Sequence, residues 1–211
     1  MALIFAAVAL SGLSGSLAHG DALDDKSREI LSSWLNNVMQ SAPIKEIKPQ
    51  KVIPIENDDV KSVFPDDRFY GVYFASWPRP VPLPKELSHE MVARVRHGEL
   101  VEPIRGDPRQ EGLRIFLSQA FSDIHDDNRA RAAVRASLRL AEAVAKAGSY
   151  PFEESEVSVG RQGNSIVATA RAAVRQPSRG EVAIRLEFGA DGRISPDAIK
   201  IDDRTRPAPP S

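Results

Sequence analysis

Four histidines, His19, His89, His97 and His125, are the first residues to weigh as metal ligands or proton carriers. No two of them stand three or four positions apart, the spacing a zinc pair on a helix requires. Ser88-His89-Glu90 sets three reactive side-chain types in a row, yet neighbours along a strand point to opposite faces, so adjacency makes no triad. Five Asp-Asp pairs (Asp24-Asp25, Asp58-Asp59, Asp66-Asp67, Asp126-Asp127 and Asp202-Asp203) bring oxygen ligands together as calcium sites do. Each pair falls at an expected helix start, turn or strand end, where Asp is favoured for capping and local turn hydrogen bonds, and that is the role expected of them. Asp191-Gly192-Arg193 lacks the alternating acidic ligands and closing Glu of an EF-hand loop. The chain has no Gly-x-Ser-x-Gly elbow, no Gly-rich phosphate loop between strand and helix, and no dinucleotide fingerprint. These gaps remove the common motif-bearing enzymes, and neither a cofactor nor a metal is expected.

Binding chemistry is better represented. Phe69, Tyr70, Tyr73, Phe74 and Trp77 gather aromatics just before Pro78, Pro80, Pro82 and Pro84, a stiff polyproline-like connector. Aromatics beside such a run can make a flat, rigid contact surface, although a buried core strand explains the same residues. Arg131, Arg135 and Arg139 recur at helical spacing and could meet an acidic partner; a solvated helix face with i,i+4 partners explains them as well. Tyr70, Tyr73, Trp77, Arg131 and Arg135 are therefore the candidate ligand- or partner-binding residues. A formal net charge of −1 over 211 residues argues against nucleic acid, whose phosphates demand a surplus of Lys and Arg.

Elements must hold these residues in place. The chain is 42% hydrophobic and 27% charged, enough apolar residue to build a core, and it contains no cysteine. Disulfides and thiolate chemistry are thereby excluded, so packing and hydrogen bonds must supply stability. Residues 1–18 form an apolar run ending in Ser16-Leu17-Ala18, the small-x-small pattern of a secretory signal cut near His19, although no Lys or Arg precedes Lys26. No other segment is apolar enough to span a membrane, so the mature protein is expected to have no transmembrane span and to be periplasmic or secreted.

Within residues 19–108, Ile30, Leu31, Trp34, Leu35, Val38 and Met39 predict an amphipathic helix to about Gln40. Pro43, Pro49 and Pro54 then confine the next stretch to extended, edge-like backbone, because each lacks a ladder donor. Asp58 to Val63 predicts one short helix, Arg68 to Ala75 a buried strand, and Met91–Arg96 with Glu99–Ile104 a hairpin turning at His97-Gly98. In residues 109–203, Leu113, Phe116, Leu117, Ala120, Phe121 and Ile124 predict a helix. A second follows over Arg129–Ala147, with Ala130, Val134, Leu138, Ala141 and Val144 packed and the Arg131, Arg135 and Arg139 side wet. From Glu156 the period switches from 3.6 to 2: Val157 and Val159, a turn over Gly160–Asn164, then Ile166 to Val174, Val182 to Phe188, and Ile194 to Ile201. Residues 204–211 form a tail expected to be without structure.

A long helix over Arg129–Ala147 followed by a meander over Glu156–Asp203 resembles the cystatin-like and NTF2-like group of folds. The resemblance covers less than half of the chain. It implies an α+β fold, a helix packed on a curved antiparallel meander, with the amino-terminal helix and strands added to one continuous body. It implies no chemistry. Cystatin-type inhibitors are similar in using Gln-x-Val-x-Gly, but here the nearest stretch is Glu156-Val157-Ser158-Val159-Gly160, and that departure argues against protease inhibition. The expectation is an exported, non-catalytic binding or assembly module of the bacterial envelope, its partner a protein or small molecule, a second copy included. The alternative is a small-ligand carrier or enzyme with an NTF2-like cone between helix and sheet.

Overall fold

The computed structural model describes residues 25–37, 51–73, 90–106, 110–144, 152–175 and 178–207. A proline without a ladder donor belongs at a sheet edge. Pro54 closes β1 (Lys51–Pro54), and β1 is the edge of a four-stranded antiparallel sheet that continues through β2 (Asp67–Tyr73), β3 (Glu90–Arg96) and β4 (Glu99–Arg105). The hairpin between β3 and β4 turns on His97 and Gly98, both left-handed (φ 49° and 84°), the pairing a two-residue primed turn demands.

Alternation along β2 gives this first sheet two working faces. Tyr70 and Val72, with Met91, Ala93 and Val95 of β3, form one face, and α1 (residues 25–37) lays Leu31 and Leu35 against it. Phe69 and Val92 point the other way and join a larger core with α2 (Asp58–Val63), α3 (Glu111–Ala120), α4 (Asp127–Val144) and the second sheet. That sheet is the meander β5 (Glu153–Gln162), β6 (Ser165–Val174), β7 (Ser178–Phe188) and β8 (Ile199–Asp203), all antiparallel. The class is α+β.

The second sheet receives α4 in a groove made by residue size. Ala168, Ala170 and Ala172 of β6 face inward and are each fully buried; Val157 and Val159 of β5 and Ile184 and Leu186 of β7 stand higher on either side. Small side chains along one strand let a helix backbone approach closely while its neighbours rise around it. Helix α4, however, is not half wet. Besides Ala130, Val134, Leu138, Ala141 and Val144, it buries Ala133, Ala136, Ser137, Leu140 and Ala143. At 100° per residue these positions wrap roughly 220° of the helix, about twice an ordinary amphipathic stripe. The reason is that α4 is covered on two sides, by the meander and by the first sheet with α2. Single-sided packing of this helix was the expectation, and the first sheet overturns it.

One hydrogen bond ties the first sheet to the end of that helix. The Tyr73 ring lies over Gly71, and its hydroxyl donates to the Ala143 carbonyl in the last described turn of α4 (2.9 Å). Tyr73→Phe is expected to cost about 1 kcal/mol in urea unfolding, the net worth of a typical buried hydrogen bond. A change indistinguishable from zero would show that water or another donor takes over the carbonyl.

Elsewhere the boundaries move for identifiable reasons. Helix α3 ends at Ala120, because Phe121 is extended and Ile124 donates its N–H to Gly192 of the β7–β8 connection (3.0 Å). Gly160 lies within β5 rather than in the turn, which shrinks to Gly163-Asn164 between Gln162 and Ser165. Ile194 is buried but precedes the strand, since Pro196 opens a 3-10 turn before β8. The tail keeps structure as far as Pro207: β9 (Arg206–Pro207) pairs with Ser178 and Arg179 of β7. Residues 38–40, 145–147 and 208–211, the amino-terminal apolar run and the proline connector lie outside the described residues.

Candidate functional site

The residues singled out for chemistry go to different places. Tyr70 and Tyr73 are both buried, on opposite faces of β2, Tyr70 under α1 and Tyr73 against α4. Trp77 lies outside the described residues, as do His19 and His89. Arg131 is exposed, while Arg135 is half-buried with its Nη2 3.1 Å from Glu154. Arg139 donates to Glu142 (3.1 Å) and to the Phe152 carbonyl (3.0 Å), and Glu142 in turn accepts from the Phe152 N–H (3.0 Å). Most of the arginine stripe therefore fastens α4 to the start of β5. His125 is exposed beside Asp123 (3.2 Å) at the α3–α4 connection. Among the described residues no group of three His, Asp or Glu side chains could hold a metal ion.

The acidic pairs divide by burial. Asp126 caps α4 by accepting from the N–H groups of Asn128 and Arg129 (both 2.9 Å), and Asp203 holds Thr205 through its N–H and hydroxyl. At α2 the cap is Asn57, which accepts from Asp59 and Val60. Asp67 departs from the expected capping role. Its carboxylate is fully buried and takes Nε and Nη2 of Arg96 as a fork (2.8 and 2.7 Å), with Arg94 Nε 3.7 Å away. Arg94 also stands over the Phe116 ring, 5.0 Å from its centroid. Burial pulls the Arg94 pKa down against the pull of Asp67, whereas the hydrogen bond to Asp67 raises that of Arg96. The carboxylate is shut off from solvent while Arg96 stays partly exposed, and the cluster ties β2 to β3.

An open site lies on the far side of the same strands. Along α1 the buried seam runs Leu35, Leu31, Ser27, each four residues from the next, so a hydroxyl stands where a third leucine would continue the apolar contact. There the seam opens into a cleft of 380 Å³ lined by Lys26, Ser27, Asp66, Arg68 and His97, with Val95, Pro65 and Gly98 completing the walls. Arg68 is held by two backbone acceptors, the carbonyls of Pro65 (3.2 Å) and Asp67 (3.1 Å), both reached by Nη1. His97 is presented at the tip of the hairpin by its left-handed backbone, a conformation that costs an ordinary L-residue about 1 kcal/mol and is more often given to Asn or Gly. Lys26 reaches across from α1, its Nζ 3.9 Å from where a β-carbon on Gly98 would stand. The cleft thus sets two fixed cations and an imidazole against the single carboxylate of Asp66.

A second, more open depression of 430 Å³ lies beside Ser165, Glu187, Asp191 and Arg193. There Asp191 accepts from the N–H of Arg193 (3.1 Å), which commits it to its own turn. Lys26, Ser27 and Arg68 were not among the candidates from sequence. The signal that pointed to them was the serine at the third seam position, but its meaning depends on which strand ends face it. Comparison with protein-family models, with curated proteins and with solved structures finds no match.

Proposed function

We propose that the protein is an exported, non-catalytic binding or assembly module of the bacterial envelope, with a cystatin- or NTF2-like order in its second half. The observation that carries the reading is the filled contact between α4 and the meander. Leu138, Ala141, Ala168, Ala170, Ile184 and Leu186 are all fully buried there, and the buried polar group of α4, Ser137, donates to its own helix at Ala133 (2.8 Å). A carrier or enzyme of the cone type needs room and convergent polar groups at that place. Among the described residues aliphatic side chains meet there, which supports recognition through surface features. Export rests on the apolar run of residues 1–18 and suits a chain without cysteine. Among the described residues no helix is long and apolar enough to cross a membrane.

Expression from the first methionine in a bacterial host, followed by fractionation and intact-mass measurement, is the test. The expected result is a chain beginning near His19 in the exported fraction, with a melting temperature that a panel of small apolar ligands leaves unchanged. Full-length protein kept in the cytoplasm would overturn the export reading. A concentration-dependent rise in Tm with an apolar ligand, which requires preferential binding to the folded state, would favour the carrier instead.

A further inference from the structure

We propose that the cleft between α1 and the β3–β4 hairpin binds an oxyanion of the phosphate class. The inference deepens the binding reading above by naming a ligand chemistry for one surface feature. Three observations converge on it. Lys26 and His97 make no ion pair among the described residues, and Arg68 is pinned by backbone carbonyls that leave its charge uncompensated. Ser27 is only 7% exposed, lines the cleft and makes no hydrogen bond among the described residues. Its hydroxyl, at the wall of the cleft, is free to donate to a ligand oxygen there. Finally, the basic side chains reach the cleft from three separate elements, Lys26 from α1, Arg68 from β2 and His97 from the β3–β4 turn, a convergence on one small volume.

The volume, 380 Å³, lies at the low end of small-ligand sites, so a phosphate group with a modest organic substituent fits and a nucleic-acid strand does not. Asp66 opposes a bare anion at one wall and would accept from a hydroxyl or amine on that substituent. The phosphate group itself could come from a soluble ester or a lipid headgroup, and both present the same oxygens to Lys26, Ser27 and Arg68.

The experiment is a titration of inorganic phosphate into the isotope-labelled full chain at constant ionic strength, with chloride as the control. Saturable amide shifts at Ser27, His97 and Gly98 are expected, weakened about tenfold by Lys26→Gln or Arg68→Gln, the scale of one charge-assisted hydrogen bond. His97→Asn keeps a residue that tolerates the left-handed turn and is expected to weaken binding by about threefold, while removing only the imidazole. In a parallel arm, sedimentation with phosphatidylcholine vesicles containing phosphatidic acid, lost in the Lys26 and Arg68 variants, would assign the source as a headgroup. Phosphate saturation without vesicle binding would assign a soluble ester. Shifts no larger than those in chloride, or centred on Arg131 and Arg193 instead, would overturn the proposal. The wild-type map decides this even if a variant folds poorly, and its failure leaves the export and filled-interface tests untouched.

Discussion

Asp67→Ala is expected to lower the unfolding free energy by about 3 kcal/mol, at the low end for removing one member of a buried ion pair. The carboxylate side chain is 0% exposed, and its loss strands two arginines unequally. Arg96 has 44% of its side chain exposed and can turn outward to water, which is why the low end applies. Arg94, at 13%, remains against Phe116 with no counter-charge, and its Nε already lacks a hydrogen-bond partner. Combining Asp67→Ala with Arg94→Met is expected to recover part of the loss, because replacing a buried pair by apolar groups is often close to neutral. Urea unfolding followed by circular dichroism, run as a double-mutant cycle, measures both terms. A single-variant loss below about 0.5 kcal/mol would mean that water already reaches this carboxylate.

Ala136→Asp should be more damaging still, by several kcal/mol and with loss of a cooperative transition as the extreme outcome. Ala136 is fully buried on α4, outside the stripe that faces the meander by sequence spacing. Were α4 covered on one side only, this position would meet solvent and the substitution would cost well under 1 kcal/mol, mostly through helix propensity. Asp is too short to carry its charge from a fully buried position to water. Ala136→Leu gives a milder version of the same test: a better-buried apolar group on an exposed face would be neutral, whereas overpacking between two sheets costs about 1–3 kcal/mol. Near-neutral results for both would remove the double cover from the description of α4.

These two sites mark where the sequence could be read and where it could not. The period-2 runs from Val157 to Phe188 are legible because one face is core and the other water, so each side chain records its own environment. His97-Gly98 is legible because a two-residue turn leaves few residue types that tolerate its dihedral angles. Pro54 announces an edge because it cannot donate. Asp67 and Ala136 carry no such record. An Asp before a strand looks the same whether it caps a turn or lies under two arginines contributed by the next strand, and alanine is equally at home in a wet or a dry helix face.

The aromatic cluster follows the same logic. Phe69, Tyr70 and Tyr73 fit a docking surface or a core equally well in one dimension, and the outcome depended on whether other elements would cover both faces of β2. The arginine stripe likewise became an anchor only because Glu154 and Phe152 arrive beside it. Local chemistry alone determined the α+β class, the proline edge, the hairpin turn and the meander of small residues that accepts a helix. Tertiary structure alone decided that α4 lies between two sheets, that Asp67 is buried, and that Lys26, Ser27, Arg68 and His97 share one cleft. The physical reason is range: dihedral preference and side-chain period act within a few residues, whereas burial and charge pairing depend on segments that lie tens of residues apart in the chain.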